Sequence, residues 1–295
     1  MKKSSFRSSL MLLLTAVIWG VAFVAQSAGM DYVGPFTFNA VRSIIGGFVL
    51  IPCIFILGHG KPARESTPQS RRDLLVGGVC CGIFLAVAST FQQFGIQYTS
   101  VGKAGFITAL YILLVPLLGL LFGKRPGWRV WLAVGIAVAG MYLLCVTEGF
   151  SIAFGDLLVM VCALLFAVHI LVIDYFSPRA DGVKLSCIQF FTCGLLCAVG
   201  MLLFEHPMPA QILAAWMPIL YAGVMSCGVA YTLQIIGQRD TDPTLASLIL
   251  SLESVVSVLA GWALLHQSLS LRELSGCALV FCAIILAQLP DRRPL

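Results

Sequence analysis

One carboxylate interrupts an otherwise apolar stretch, LILSLESVVSVLAG, which runs from Leu248 to Gly261. Glu253 lies about ten residues into an apolar segment of about 23 residues, which in a helix places it roughly 15 Å from the segment's start. If that segment crosses a bilayer, an ionised carboxylate there costs about 2.5–3.5 kcal/mol. Glu253 is therefore expected to face a hydrated cavity or a partner, and to exchange a proton for a cationic substrate. The alternative is a protonated side chain with a structural hydrogen bond.

Three aromatic residues also fall at the middle of apolar segments: Trp19, Tyr111 and Tyr231. Tryptophans of membrane proteins gather at the interfaces, so Trp19 is unusual in its position. Together the three are placed to line a substrate pocket, with ring faces for a cation and hydroxyls for polar groups. Ordinary aromatic packing is the alternative.

His169 is the second candidate for proton coupling and for substrate binding, because an imidazole changes charge near neutral pH. A neutral histidine bonded to a neighbouring helix is the alternative. Asp174, five residues further on, is about 140° around a helix from His169, so the two do not share a face. We expect Asp174 to lie at the membrane interface or to pair with Arg179.

Two further polar residues are candidates for the site. Gln93 is a candidate substrate contact. Arg42 is shallow enough in its segment to extend outward to the surface, where it would act as a gate or contact an anion. Hydrogen bonds between helices are the expected role of the remaining glutamines, which are Gln92, Gln189 and Gln234.

These residues belong to a chain that is 59% hydrophobic and 11% charged, whereas a soluble domain carries about a quarter charged residues. Such a chain uses lipid as its solvent, and each crossing helix needs about 20 apolar residues. We predict ten crossings, the first retained rather than removed as a signal peptide. The segments are 9–29, 35–58, 72–98, 103–123, 128–147, 154–176, 184–204, 214–237, 243–265 and 271–289.

Lys and Arg are unequally distributed among the links between these segments. If the N-terminus is cytoplasmic, fifteen lie inside, two (Lys103 and Arg272) lie outside, and Arg42 lies within a span. Cytoplasmic links carry such an excess, so both termini are predicted to be cytoplasmic. The basic residues form no continuous face, and nucleic acid is not an expected partner. The inside residues are Lys2, Lys3, Arg7, Lys61, Arg64, Arg71, Arg72, Lys124, Arg125, Arg129, Arg179, Lys184, Arg239, Arg292 and Arg293.

The chain repeats itself at an offset of 142 residues. Gln92 matches Gln234, and Gly95 matches Gly237. Two copies of five helices must insert in opposite directions, because five is odd. The predicted fold is therefore an all-α integral membrane protein with ten transmembrane helices as two inverted five-helix repeats, 1–148 and 149–295, in one membrane domain. Further matches at this offset are Gly119 with Gly261 and Tyr111 with Glu253.

Four stretches resemble the EamA-type members of the drug/metabolite transporter superfamily: TAVIWGVAFV, PFTFNAVRSIIGG, TSVGKAGFITALYILLVPLLGLLFGKRP and LSLESVVSVLAGWALLHQSLS. The resemblance covers nearly the whole chain, and Arg42 matches a family arginine. The family usually has Pro after the glutamate of the ninth span and Gly-Glu before the tenth. Here those positions are Glu253-Ser254 and His266-Gln267. The resemblance implies transport of small metabolites such as amino acids, amines or drugs.

The leading hypothesis is a secondary transporter of a small polar or cationic metabolite in the cytoplasmic membrane, working by alternating access. Proton coupling through Glu253 and His169 is one form of it; uncoupled facilitation and quaternary-amine import are alternatives. An integral membrane enzyme fits less well, because the sequence has no cluster of catalytic residues near one interface. No nucleotide-binding loop, cofactor or metal is expected. The expected partners are the substrate, protons and lipid, and a homodimer is left open.

The charge bias predicts the topology. Reporter fusions after Leu295 and within Lys61–Arg72 should both report a cytoplasmic location, and a fusion within Thr147–Ser151 an external one. The measurement is the activity of a reporter that matures on one side of the membrane only. An external C-terminus would rule out the ten-span topology.

Overall fold

The computed structural model describes residues 6–58, 68–99, 101–145, 153–265 and 270–288, which form helices joined by short links. Ten apolar helices run through these residues, and a short helix, Pro209–Ala214, precedes the eighth. Their bounds are α1 Phe6–Gly29, α2 Pro35–Gly58, α3 Pro68–Ile96, α4 Val101–Leu121, α5 Trp128–Cys145, α6 Phe154–Phe176, α7 Gly182–Phe204, α8 Trp216–Gln238, α9 Pro243–Leu264 and α10 Leu271–Gln288.

Eight helices are long and apolar enough to cross a membrane, and each coincides with a predicted segment. In α5 and α10 the apolar stretches are shorter, Trp128–Leu143 and Leu274–Ala287. The all-helical, multi-span architecture is thus confirmed, whereas the ten-span inverted organisation stays a prediction. Several residues used in that prediction lie outside the described residues, namely Lys2, Lys3, Lys61, Arg64, His266, Gln267, Arg292, Arg293 and the link Thr147–Ser151.

The helices pack in pairs around a shared interior. Helix α2 packs against α7, α3 against α6 and α7, α1 against α9, and α5 against α10. Small residues permit the close approaches. A Cβ atom added at Gly20 of α1 would lie 2.9 Å from the carbonyl oxygen of Glu253 in α9. The absence of a side chain at Gly20 therefore brings Trp19 and Glu253 to the same part of the interior.

A carboxylate at the end of α7 caps the first turn of α2. Glu205 accepts hydrogen bonds from the backbone N–H groups of Phe36 and Thr37, at 2.8 and 2.7 Å. The Thr37 hydroxyl donates a third bond to Glu205 at 2.6 Å. These donors have no partner within their own helix, because the first four N–H groups of any helix are left free. The cap fixes α2, and with it Arg42, relative to α7.

Helices α4 and α9 are each interrupted eight or nine residues after they begin. The interruptions lie at Leu110 in α4 and at Ser251 in α9. The two helices begin at Val101 and Pro243, which stand 142 residues apart like the repeated residues of the sequence. After each interruption the helix resumes, with Tyr111 first in α4 and Glu253 second in α9.

Ion pairs join α4 and α6 at both ends. Lys103 pairs with Asp156 at 2.6 Å, and Lys124 pairs with Asp174 on the opposite side of the bundle. Of the two alternatives for Asp174, pairing with Arg179 is wrong, because the Arg179 guanidinium instead lies 3.9 Å from the ring centre of Tyr175. The place of Asp174 at the membrane interface stays a prediction.

Candidate functional site

A buried hydrogen bond joins the two interrupted helices. The Tyr111 hydroxyl lies 2.9 Å from Oε1 of Glu253, to which it donates, and the two residues are 142 positions apart. Tyr111 is 2% exposed and Glu253 is 3% exposed. The glutamate therefore has a partner deep in the bundle, as its depth in the sequence required.

This pair forms part of the wall of a cavity in the middle of the bundle. Trp19, Tyr231 and Arg42 also line it. The space open to the centres of water molecules is about 30 Å³, and one water needs roughly 10–15 Å³ of such space. In this arrangement the cavity has room for a few waters at most. A metabolite would require the walls to move apart.

The predicted aromatic residues do come together here. The rings of Trp19 and Tyr231 lie 4.5 Å apart, centre to centre, at an angle of 56°. Tyr231 also meets the ring of Phe190, edge to face, at 5.4 Å. Trp19, Tyr111 and Tyr231 all line the cavity, so the geometry agrees with the sequence-based grouping.

His169 is not among the residues that line the cavity. Its imidazole is fully buried and its Nε2 lies 2.9 Å from Oε1 of Gln189, a hydrogen-bonding distance. The ring centre of His169 is 6.1 Å from that of Tyr231. His169 therefore contacts the site through Tyr231, which is closer to the alternative of a histidine bonded to a neighbouring helix.

The glutamines are arranged differently from the expectation. Gln93 is fully buried, and its Nε2 donates to the backbone carbonyl of Gln26 at 3.0 Å, away from the cavity lining. Gln92 and Gln234 line the cavity instead. The Nε2 group of Gln92 donates to the Thr108 hydroxyl at 3.2 Å. The sequence did contain a signal for these two, since they match each other at the 142-residue offset.

Arg42 lies in the interior rather than extending outward. It is 6% exposed, its guanidinium is 5.4 Å from the ring centre of Phe38, and it lines the cavity. The expectation that Arg42 extends to the surface is therefore wrong. Glu205, which caps α2 one helical turn and a half before Arg42, helps to hold this position. The cavity thus contains both a guanidinium and a carboxyl group.

Four residues of the cavity wall have a buried polar atom with no hydrogen-bond partner in the described part of the chain. Nε1 of Trp19 and Nε of Arg42 are donors, and Oε1 of Gln26 and of Gln234 are acceptors. Leaving such a group buried and unpaired costs about 1–3 kcal/mol. Water or a ligand with both donors and acceptors would offset that cost. The cavity is therefore suited to a polar occupant.

Comparison with known proteins finds similarity over nearly the whole chain. The model of the EamA-like transporter family matches residues 7–146 and, a second time, residues 153–289. The chain is 31% identical to an uncharacterized transporter of Archaeoglobus fulgidus, over 94% of this chain and 84% of that protein. It is 20% identical to the uncharacterized inner membrane transporter YedA of Escherichia coli strain K12, over 92% and 88% of the two chains.

A solved crystal structure has the same fold. It aligns with a TM-score of 0.77 at 22% sequence identity, and the alignment covers 95% of this chain and 96% of the other. At that identity the likeness shows the fold alone.

The cavity predicts the effect of removing its largest ring. Trp19→Ala should abolish ligand binding, because it removes the ring that packs on Tyr231 and the unpaired indole N–H. The variant should stay folded and monodisperse, since Trp19 is only partly buried and borders a cavity rather than the packed core on one side. Trp19→Phe is the matched control: it keeps a ring, loses the N–H donor and should weaken binding only in part. The measurement is ligand-induced thermal stabilisation. Unchanged binding in both Trp19→Ala and Tyr111→Ala would place the ligand elsewhere.

Proposed function

The chain belongs to the EamA-like transporter family, and from that premise we propose that it is a secondary transporter of a small polar metabolite. It would move its substrate across the cytoplasmic membrane by alternating access, with both termini in the cytoplasm. The observation that carries the proposal is a buried carboxyl group, that of Glu253, on the wall of a polar cavity between apolar helices. A carboxyl group at such a depth is characteristic of substrate and proton pathways.

The charges on the cavity wall limit the range of substrates that the site would bind. Glu253 is suited to a cationic group, and Arg42, on the same cavity, to a carboxylate. Trp19 and Tyr231 supply aromatic surface for an apolar or cationic portion. A small molecule that carries a cation and a carboxylate uses all of these groups; a simple amine leaves Arg42 unpaired. We therefore favour a zwitterion within the wider class of polar or cationic metabolites.

The relation between the two halves supports alternating access as the mechanism. The family model matches the chain twice, and the Tyr111–Glu253 bond joins residues at the repeat offset of 142. If residues 1–148 and 149–295 are inverted repeats, the pseudo-twofold axis passes close to this bond. Exchange of conformations between the halves would then open the cavity to alternate sides of the membrane.

Proton coupling would act through Glu253. A proton and a cationic substrate compete for one carboxyl group, so release of one favours binding of the other. The Tyr111 hydroxyl stabilises the carboxyl group while the cavity is closed. His169 contacts Tyr231 rather than the cavity, so its role in coupling would be indirect.

Glu253→Gln tests this role, because it keeps the shape of the side chain and cannot exchange a proton. In proteoliposomes with an imposed pH gradient, the variant should lose gradient-driven uptake of the ligand. That ligand is first selected by a thermal-shift screen of amino acids, quaternary amines and nucleosides. Glu253→Asp, which retains a titratable carboxyl group, should keep part of the coupling. Undiminished gradient-driven uptake in Glu253→Gln would instead make Glu253 a structural residue.

Arg42→Gln tests the carboxylate contact. It should weaken binding of an amino acid selected in that screen by about 10–100-fold, since a hydrogen bond to a charged group contributes about 1.5–3 kcal/mol. The amide of that amino acid has the same cation and no carboxylate, and its binding should not weaken. Lys184→Gln, which neutralises an exposed charge at the start of α7, is the control. Calorimetry in detergent measures both ligands, and equal losses for the two would exclude the contact.

A further inference from the structure

Helix α8 departs from the regular α-helical pattern over 10 of its 23 residues. Residues Tyr221–Ala230 form a π-helix, in which each N–H donates to a carbonyl five residues earlier. At its end, the N–H of Tyr231 donates to the carbonyl of Ser226. π-helical hydrogen bonding is rare, is usually confined to a single turn, and is frequent at functional sites. A run of 10 residues is therefore a feature that calls for a physical role.

A π turn contains one residue more than an α turn, so it changes the register of the helix. If one π turn becomes α-helical, the two ends of the helix rotate relative to each other by about 100° and shift by about 1.5 Å. Each end can keep its own α-helical hydrogen bonds during this change. Within α8 itself the transition therefore rearranges only a few backbone hydrogen bonds, while side-chain bonds of the moving end, such as that of Thr232 with Ser186, must break.

The two ends of α8 have different surroundings. The first end, Trp216–Leu220, belongs to a small apolar cluster, in which its Ile219 lies with Val33. Tyr231–Gln238 carries Tyr231 and Gln234, which line the cavity. A change of register in the π-helix would therefore move two residues of the cavity wall while the other end of α8 stays in place.

Helix α1 holds both ends of the π-helix. The Tyr221 hydroxyl donates to the backbone carbonyl of Ile18 at 3.1 Å. The buried Thr15 hydroxyl is 3.0 Å from the carbonyl oxygen of Ala230, the last residue of the π-helix, and 3.0 Å from that of Met11 in its own helix, so the two carbonyls share its one proton. One turn after Thr15, Trp19 packs on Tyr231. The helix that supplies Trp19 to the cavity thus also stabilises the present register of α8.

We propose that the π-helix of α8 is a register switch, held by Thr15 and Tyr221, that moves Tyr231 and Gln234 out of the cavity wall to make room for the substrate. The proposal rests on the proposed transport function, since a switch of this kind serves a site that must open. The present cavity, with space for a few waters, corresponds to the closed state of the switch. Separation of the Trp19 and Tyr231 rings would begin its enlargement.

Deletion of one residue from the π-helix tests the switch without any ligand. Met225 is 37% exposed and does not line the cavity. Its deletion removes the surplus residue, so both ends keep their registers and the switch is lost. Deletion of Leu195, 64% exposed in the regular helix α7, is the control, and it should unfold the protein by rotating half of α7. Loss of folding in both deletions would show that α8 has no surplus residue and would overturn the proposal.

The readouts are hydrogen–deuterium exchange over residues 216–238 and alkylation of Gln234→Cys, located by peptide mass spectrometry with N-ethylmaleimide as the probe. In the Met225 deletion the rate of hydrogen–deuterium exchange and the rate of alkylation should both fall about tenfold, because α8 can no longer change its register. Equal rates with and without Met225 would overturn the switch. Neither readout involves transport, so a purified protein that transports nothing would refute the proposed function and leave this result standing.

A substitution in α1 provides an independent test. Thr15→Val keeps the volume of the side chain and removes the hydroxyl that bonds Ala230. Alkylation of Gln234→Cys should rise about fivefold, the effect of losing one hydrogen bond of roughly 1 kcal/mol. Thr15→Ser retains the hydroxyl and should behave as the wild type. An unchanged rate in Thr15→Val would remove α1 from the mechanism.

Discussion

The arrangement of the interior depends on one constraint: a carboxyl group buried between apolar helices must have a polar partner. Glu253 meets it through the hydroxyl of Tyr111. To bring the two together, α4 and α9 must meet at their interruptions, and Gly20 must let α1 approach α9. Trp19 then lines the same cavity as the carboxyl group. The cost of an unpaired buried carboxyl group thus determines how three helices are placed.

The rest of the cavity wall does not meet this constraint, because several of its buried polar atoms have no hydrogen-bond partner among the described residues. Around a satisfied Tyr111–Glu253 pair stand donors and acceptors without partners, on Trp19, Arg42 and Gln234 among others. A protein interior normally satisfies such atoms. Polar atoms without hydrogen-bond partners, beside a cavity with space for a few waters, are consistent with a site that binds its occupant reversibly. The ion pairs tie both ends of α6 to α4 and to the link that follows α4, whereas α8 contains the π-helix.

Part of the site was predictable because membrane insertion penalises certain residues wherever they occur. Glu253 and Trp19 stood out as residues that lipid does not favour at that depth, and both line the cavity. Arg42 was misplaced, because distance along a helix does not tell whether a long side chain extends outward or inward. Gln92 and Gln93 are neighbours with equal polarity. The 142-residue repeat distinguishes Gln92, but the packing of α3 is what brings Gln92 rather than Gln93 to the cavity wall.

The sequence by itself determined the helices, because runs of about 20 apolar residues have few alternatives in lipid, where every backbone group must be satisfied within its own segment. It also determined the family and the internal repeat. Only the tertiary structure decided which polar residues share a cavity, that Asp174 pairs with Lys124 rather than Arg179, and that α8 is a π-helix at its centre. These depend on how helices distant in sequence rotate and pack, and the apolar residues that drive insertion are nearly interchangeable on every face.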